Sequence, residues 1–147
     1  MAWYKCNTTQ IVLEDNGSTT PNVPYTYLVD ALSVTEAAAY ITERLEGEAH
    51  TIEGVTRMRL KEVIRSGAHW VKPFFLGKVI LTTLSEESGT ERRQTLRYLI
   101  EADDLAAALE RLQEEFKGTV SDWELVSLSK SPIVEVVTAN KKQEGAA

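Results

Sequence analysis

The chain repeats itself at an offset of 71 residues. Tyr27-Leu28-Val29-Asp30-Ala31 returns as Tyr98-Leu99-Ile100-Glu101-Ala102. An acid-rich helix is predicted after each segment, and each helix runs into a glycine, Gly47 or Gly118. Such a repeat limits the architecture to one supersecondary unit used twice and packed on itself. The first helix opens at Ser33-Val34-Thr35-Glu36, a capping box in which hydroxyl and carboxylate satisfy free backbone donors. Val34, Ala37, Ala38, Ile41 and Leu45 then fall on one helical stripe. Asp104 caps the second helix, and Leu105, Ala108, Leu109, Leu112 and Phe116 repeat the stripe. A glycine that accepts the left-handed conformation closes each last turn.

Strands are expected on both sides of each helix. Trp3–Leu13 and Phe74–Leu84 are rich in β-branched and aromatic residues. Asn16-Gly17 and Ser88-Gly89 signal turns, and the polar loop of the first copy holds Pro21 and Pro24. Tyr25–Ala31 and Gln94–Ala102 return, and Thr51–Leu60 and Asp122–Ser129 follow the helices. Short apolar segments, Glu62-Val63-Ile64 and Glu135-Val136-Val137, close each copy. Arg65-Ser66-Gly67-Ala68-His69 reads as the linker. The expected fold is α+β: an internally duplicated β-β-α-β unit of antiparallel strands, with two helices on one side and pseudo-twofold symmetry. Residues 1–138 would form one domain of two repeats, 3–64 and 74–137, with a disordered tail over 139–147.

A chain of 147 residues can bury a real core. It has no run of 18 apolar residues and no apolar leader at Met1-Ala2-Trp3-Tyr4-Lys5, so a cytoplasmic protein with no membrane span is expected. Cys6, the single cysteine, reads as a small core residue in a reducing compartment. Trp3 and Trp123 are expected to face the core.

Trp3-Tyr4-Lys5-Cys6, Tyr27 to Ala37, Lys117 to Glu124 and Ser131 to Val137 together resemble a family of short proteins of unknown function. Its members come from Bacteroidetes and from their phages and mobile elements. The hairpin Lys78 to Gly89 fits the family pattern, whereas Phe74-Phe75 stands where the family has Trp-Phe. The resemblance runs from Trp3 to Val137. It implies the fold and a phage-linked origin in the bacterial host cytosol, and it supplies no catalytic residue.

The residues themselves offer little chemistry. His50 and His69 sit in expected loops with no Cys or carboxylate at ligand spacing, so neither a metal nor a cofactor is expected. No nucleophile elbow, phosphate-binding glycine loop or dinucleotide fingerprint occurs. Asp103-Asp104 lie where acids cap a helix, and Asp30 and Glu101 are expected as solvent-facing partners of basic residues. With no catalytic residues to assign, a non-enzyme is expected.

Charge is the remaining signal. The net charge is −6, yet residues 56–100 carry nine basic and four acidic groups. Arg57, Arg59 and Lys61 alternate as if on one face of a strand; Arg65, Trp70 and Lys72 follow, then Arg92, Arg93 and Arg97. Guanidinium groups beside an aromatic ring suit phosphates and bases. These nine residues are the candidate ligand-binding set, against the plainer reading of a cationic strand edge that stays unpaired. The leading expectation is a non-enzymatic binding protein of phage or mobile-element origin. It would sequester an anionic nucleotide-type small molecule or bind a host protein. Single-stranded nucleic-acid binding in phage replication is the alternative, disfavoured by the acidic net charge. A structural or assembly subunit, a homo-oligomer joined through open strand edges, is the third reading.

Overall fold

The computed structural model describes residues 2–67, 72–119 and 122–138. Eight strands and two helices follow one another as β1 (Ala2–Leu13), β2 (Thr19–Ala31), α1 (Val34–Arg44), β3 (His50–Met58), β4 (Glu62–Ile64), β5 (Phe74–Leu84), β6 (Glu91–Glu101), α2 (Leu105–Glu115), β7 (Asp122–Lys130) and β8 (Ile133–Thr138). The chain divides into two compact units, Met1–Arg59 with Pro132–Ala147, and Leu60–Ser131. Each unit is a four-stranded sheet with one helix, so the fold class is α+β as expected.

The first unit orders its sheet β3-β1-β2-β8. β1 pairs antiparallel with both β2 and β3, and β8 runs parallel to β2. Alternation along the strands turns Tyr4, Cys6, Tyr27, Val29 and Ala31 toward α1, where Ala37, Ile41 and Leu45 meet them. Trp3, out of phase with that set, is half-buried across from Asp30 and Met58, on the sheet face away from this cluster. The second unit orders its sheet β4-β6-β5-β7, with β4 parallel to β6. Its cluster joins Phe75, Val79, Tyr98, Ile100 and Ala102 to Ala108, Leu112 and Phe116 of α2. Trp123 packs against it as expected, stacked on Phe116 with ring centroids 4.9 Å apart.

The helix ends form as the sequence directs. Ser33 Oγ accepts from Glu36 N at 3.1 Å, and Asp104 Oδ1 accepts from Ala107 N at 2.8 Å. Gly47 and Gly118 close the last turns at φ +87° and +83°. The buried stripe is shorter than five residues. Val34 and Leu105 sit in the first turn beyond the sheet and are exposed. β2 also reaches back through Pro24 and Pro21, where the sequence predicts a loop. Both precede Thr26, where pairing with β8 begins, so they occupy a stretch with one open edge. His50 likewise opens β3, paired with Gln10, and is not in a loop.

The closing segments depart from expectation. Glu62-Val63-Ile64 does not return to β2, and Glu135-Val136-Val137 does not return to β6. They are exchanged: β4 lies on β6 and β8 lies on β2. Linker length explains this. β3 and the open edge of β2 are three strand spacings apart, about 14 Å, and a parallel strand must start about 13 Å back along the sheet. Only Arg59, Leu60 and Lys61 separate β3 from β4, and only Ser131 and Pro132 separate β7 from β8. Links of two or three residues reach roughly 10–14 Å even when fully extended.

A cationic sheet face as the candidate functional site

The described candidate residues are divided between the two units. Arg57 lies on β3 of the first unit, opposite Tyr4, and Arg59 follows the end of that strand. Lys61 lies past a chain bend and belongs to the second unit. The alternation that would have put Arg57, Arg59 and Lys61 on one strand face is therefore broken, because the strand ends at Met58. Trp70 and His69 lie outside the described residues.

Two of the basic residues are occupied. Arg65 ion-pairs with Glu101 at 3.8 Å and lies over the Phe74 ring, 5.9 Å from its centroid. Lys72 holds Asp103 at 3.2 Å. Glu101 is buried rather than solvent-facing, and Ser66 donates to it from backbone N at 2.9 Å and from Oγ at 2.7 Å. Burial alone would raise its pKa. The Ser66 hydrogen bonds, with Arg65 and Lys72 nearby, outweigh burial and hold the carboxyl below the usual carboxylate range.

Strand register sorts the rest. Tyr98 and Ile100 face α2, so Arg97 and Arg93 face the other way, while Arg92 falls on the helix side. Arg97 pairs directly with Lys78, and Lys61 N donates to Arg97 O at 2.7 Å on the opposite flank. Lys61, immediately before β4, Arg97 on β6 and Lys78 on β5 therefore form a row on the sheet face away from the helix. Arg93 stands further along the same face of β6, opposite Thr82. Lys61, Arg93 and Arg97 are exposed and Lys78 is half-buried. The ion pairs among the described residues are Arg44–Glu135, Arg65–Glu101 and Lys72–Asp103, and none involves this row. Ser127 lies beside Lys78 on β7, while Asp122 and Glu124 stand farther toward the hairpin end.

The first unit shows how unusual the row is. Its corresponding cross-strand pair is Asn7 with Thr26, joined by a Thr26 Oγ1 to Asn7 Oδ1 hydrogen bond of 3.1 Å. Where Lys61 flanks Arg97, the first unit sets Ile133 opposite Thr26. Like charges placed directly opposite destabilise a sheet pair. One unit satisfies this position with a neutral hydrogen bond, and the other concentrates three cations there. Lys78 escaped the sequence reading because only register reveals what lies opposite Arg97.

Among the described residues, no group of three or more His, Cys, Asp or Glu side chains is placed to hold a metal ion. Cys6 is fully buried, and that burial pushes its thiol pKa up. No helix among the described residues is long and apolar enough to cross a membrane.

Fold and face together define an α+β protein of two helix-backed sheets, one of which carries a cationic row on its helix-free side. Residues 2–139 match the family model described as Domain of unknown function (DUF4494), and the chain belongs to that family. Comparison with curated proteins and with solved structures gives no match.

Proposed function

We propose that this protein is a non-enzymatic binder of a phosphate-bearing small molecule, taken on the sheet face at Lys61, Lys78 and Arg97 with Arg93 at the rim. The observation that carries the reading is the Lys61–Arg97–Lys78 row, which joins no ion pair among the described residues, set against the neutral Asn7–Thr26 pair at the corresponding place. A phosphate accepts hydrogen bonds from several cations at once and relieves their repulsion. The side chains flanking the row, Thr95 and Ser127, add hydroxyl donors for a ribose or phosphate oxygen. In the phage-linked setting that the sequence resemblance implies, sequestration of a nucleotide-type signal in the host cytosol is the use such a face would serve.

Titration with ATP, inorganic phosphate and a ten-residue oligothymidylate, followed by amide NMR, tests the reading. ATP is expected to shift amides of β4, β5 and β6. The variant Lys78→Asn with Arg97→Thr copies the first unit's pair; it should stay folded and lose ATP binding at least tenfold. Arg57→Ala with Arg59→Ala, in the other unit, should retain it. Equal ATP binding by the Lys78→Asn, Arg97→Thr variant sinks the assignment. Binding of the oligonucleotide without ATP moves single-stranded nucleic acid ahead of the small molecule.

A further inference from the structure

β6 pairs with β5 along its whole length, from Glu101 opposite Phe74 to Glu91 opposite Leu84, with no register shift. Its other flank is covered only in part. β4 is three residues long and lies beside Tyr98, Leu99 and Ile100, and Lys61 N adds one hydrogen bond to Arg97 O. Among the described residues, no strand pairs with this flank over residues 91–96. Glu91 to Thr95 are exposed and Leu96 is half-buried. Arg97 O points to the open flank. Peptide groups alternate sides along a strand, so Thr95 and Arg93 also turn N–H and C=O outward, while Leu96, Gln94 and Arg92 turn theirs toward β5.

Free sheet edges are ordinarily blunted by a bulge, a proline or a very short strand. The other edges of both sheets carry such devices. β3, β7 and β8 each hold one extra residue, Glu53, Val126 and Val134, and β4 is short. The open stretch of β2 has Pro21, Pro24 and a register shift. Pro24 pairs with Thr9 of β1 and stands 71 residues before Thr95, which pairs with Ile80 of β5. Proline at that place leaves the inner pairing intact and removes the outward N–H that a further strand would need. The first unit is thus closed to an added strand where the second keeps its donor. Beside that donor stand Arg93 and Arg97 on the helix-free face and Arg92 on the helix side, with Glu91 the one acid at the far end. Such cations repel a second copy of the same edge and attract carboxylates.

We propose that residues 91–97 of β6 are a docking edge for an extended, acidic segment of a partner protein. The segment adds a strand to the sheet, with main-chain hydrogen bonds at Arg93, Thr95 and Arg97 and carboxylates set two residues apart against Arg93 and Arg97. Six residues of such a strand span about 20 Å. The edge binds through the β6 backbone and needs no phosphate, so it stands independently of the proposed phosphate face, although Arg93 and Arg97 border both.

A blocked hexapeptide of alternating glutamate and valine, titrated into the full chain and followed by amide NMR, is the test, with a lysine and valine peptide as control. Shifts should centre on residues 91–97, and hydrogen exchange at the Arg93 and Thr95 amides should slow as each gains an acceptor. Thr95→Pro copies the first unit; it should keep the β5–β6 pairing protected and weaken the peptide at least tenfold. Methylating the alternate set of peptide nitrogens that faces β6 should abolish binding with the protein unaltered. Arg92→Gln should weaken binding and reduce its salt dependence, whereas Arg57→Ala with Arg59→Ala should leave it unchanged. Equal binding of the lysine peptide, binding that survives methylation of either set, or self-association of the chain through these same amides would overturn the proposal.

Discussion

At the scale of single residues, the two units solve the same packing problem with different atoms. Cys6 lies under α1, and the position 71 residues on is Gly77. A Cβ on Gly77 would come within 2.9 Å of Leu112 Cδ2 and 3.3 Å of Ile100 Cδ1. Leu112 of α2 replaces its isomer Ile41 of α1 and Phe116 the smaller Leu45, and the Leu112 Cδ2 methyl reaches the space that a sheet side chain would need at Gly77. Gly77→Val is expected to destabilise by about 1–3 kcal/mol through overpacking, measurable as a lower urea midpoint. Two carboxyl groups give opposite pH responses. The Glu101 pKa is lowered, so its contribution is present above the ordinary carboxylate value of 4.5 and disappears as pH falls through the lowered one. Desolvation, and then the Glu62 charge, raise the Glu115 pKa, so its contribution is present below 4.5 and is lost as pH rises through the raised one. Glu115→Gln should therefore stabilise the protein at neutral pH and leave acid stability nearly unchanged. Glu101→Gln should destabilise it at neutral pH. Melting curves between pH 3 and 8 check both signs.

At the scale of elements, the helices were legible because their signals are local. Ser33 and Asp104 were readable as caps, and Gly47 and Gly118 as stops, because each interaction spans three or four residues. Replacing Ser33 or Asp104 by Ala should cost about 1 kcal/mol each, read from thermal melts. The strands were less exact at their hairpin ends, where β2 extends through two prolines on a stretch with an open edge. The short strand β8 was visible as an apolar run, but its partner was not. Val136, 3% exposed, is buried in its new setting beside Leu28. Val136→Ala should cost about 2 kcal/mol and lower amide exchange protection in β2 rather than β6.

At the scale of the whole molecule, the exchange of β4 and β8 means that the first unit is built from two separate stretches of chain, whereas the second, Leu60–Ser131, is continuous. A chain ending at Ser131 would keep every strand of the Leu60–Ser131 unit and remove the strand that pairs with Thr26–Asp30. Its hydrogen exchange should lose protection over β2 and retain it over β5 and β6. Equal loss in both units would show that the two fold as one cooperative body. The candidate face follows from the same level of organisation. Lys61 and Arg97 are 36 positions apart in sequence, and the parallel β4–β6 pairing brings them side by side.

What the sequence by itself determined is everything governed by short-range periodicity: the two helices with their caps and stops, the hairpins, the stripes that face the core and the excess of charge over residues 56–100. The tertiary structure decided which strand lies beside which, because pairing depends on how far a two- or three-residue link can reach across a sheet. That choice divided the basic residues. It set Arg57 and Arg59 in one unit, tied Arg65 and Lys72 to acids, and left Lys61, Lys78 and Arg97 in a row. Charge can be counted along a chain, but its concentration on a face is fixed only by register.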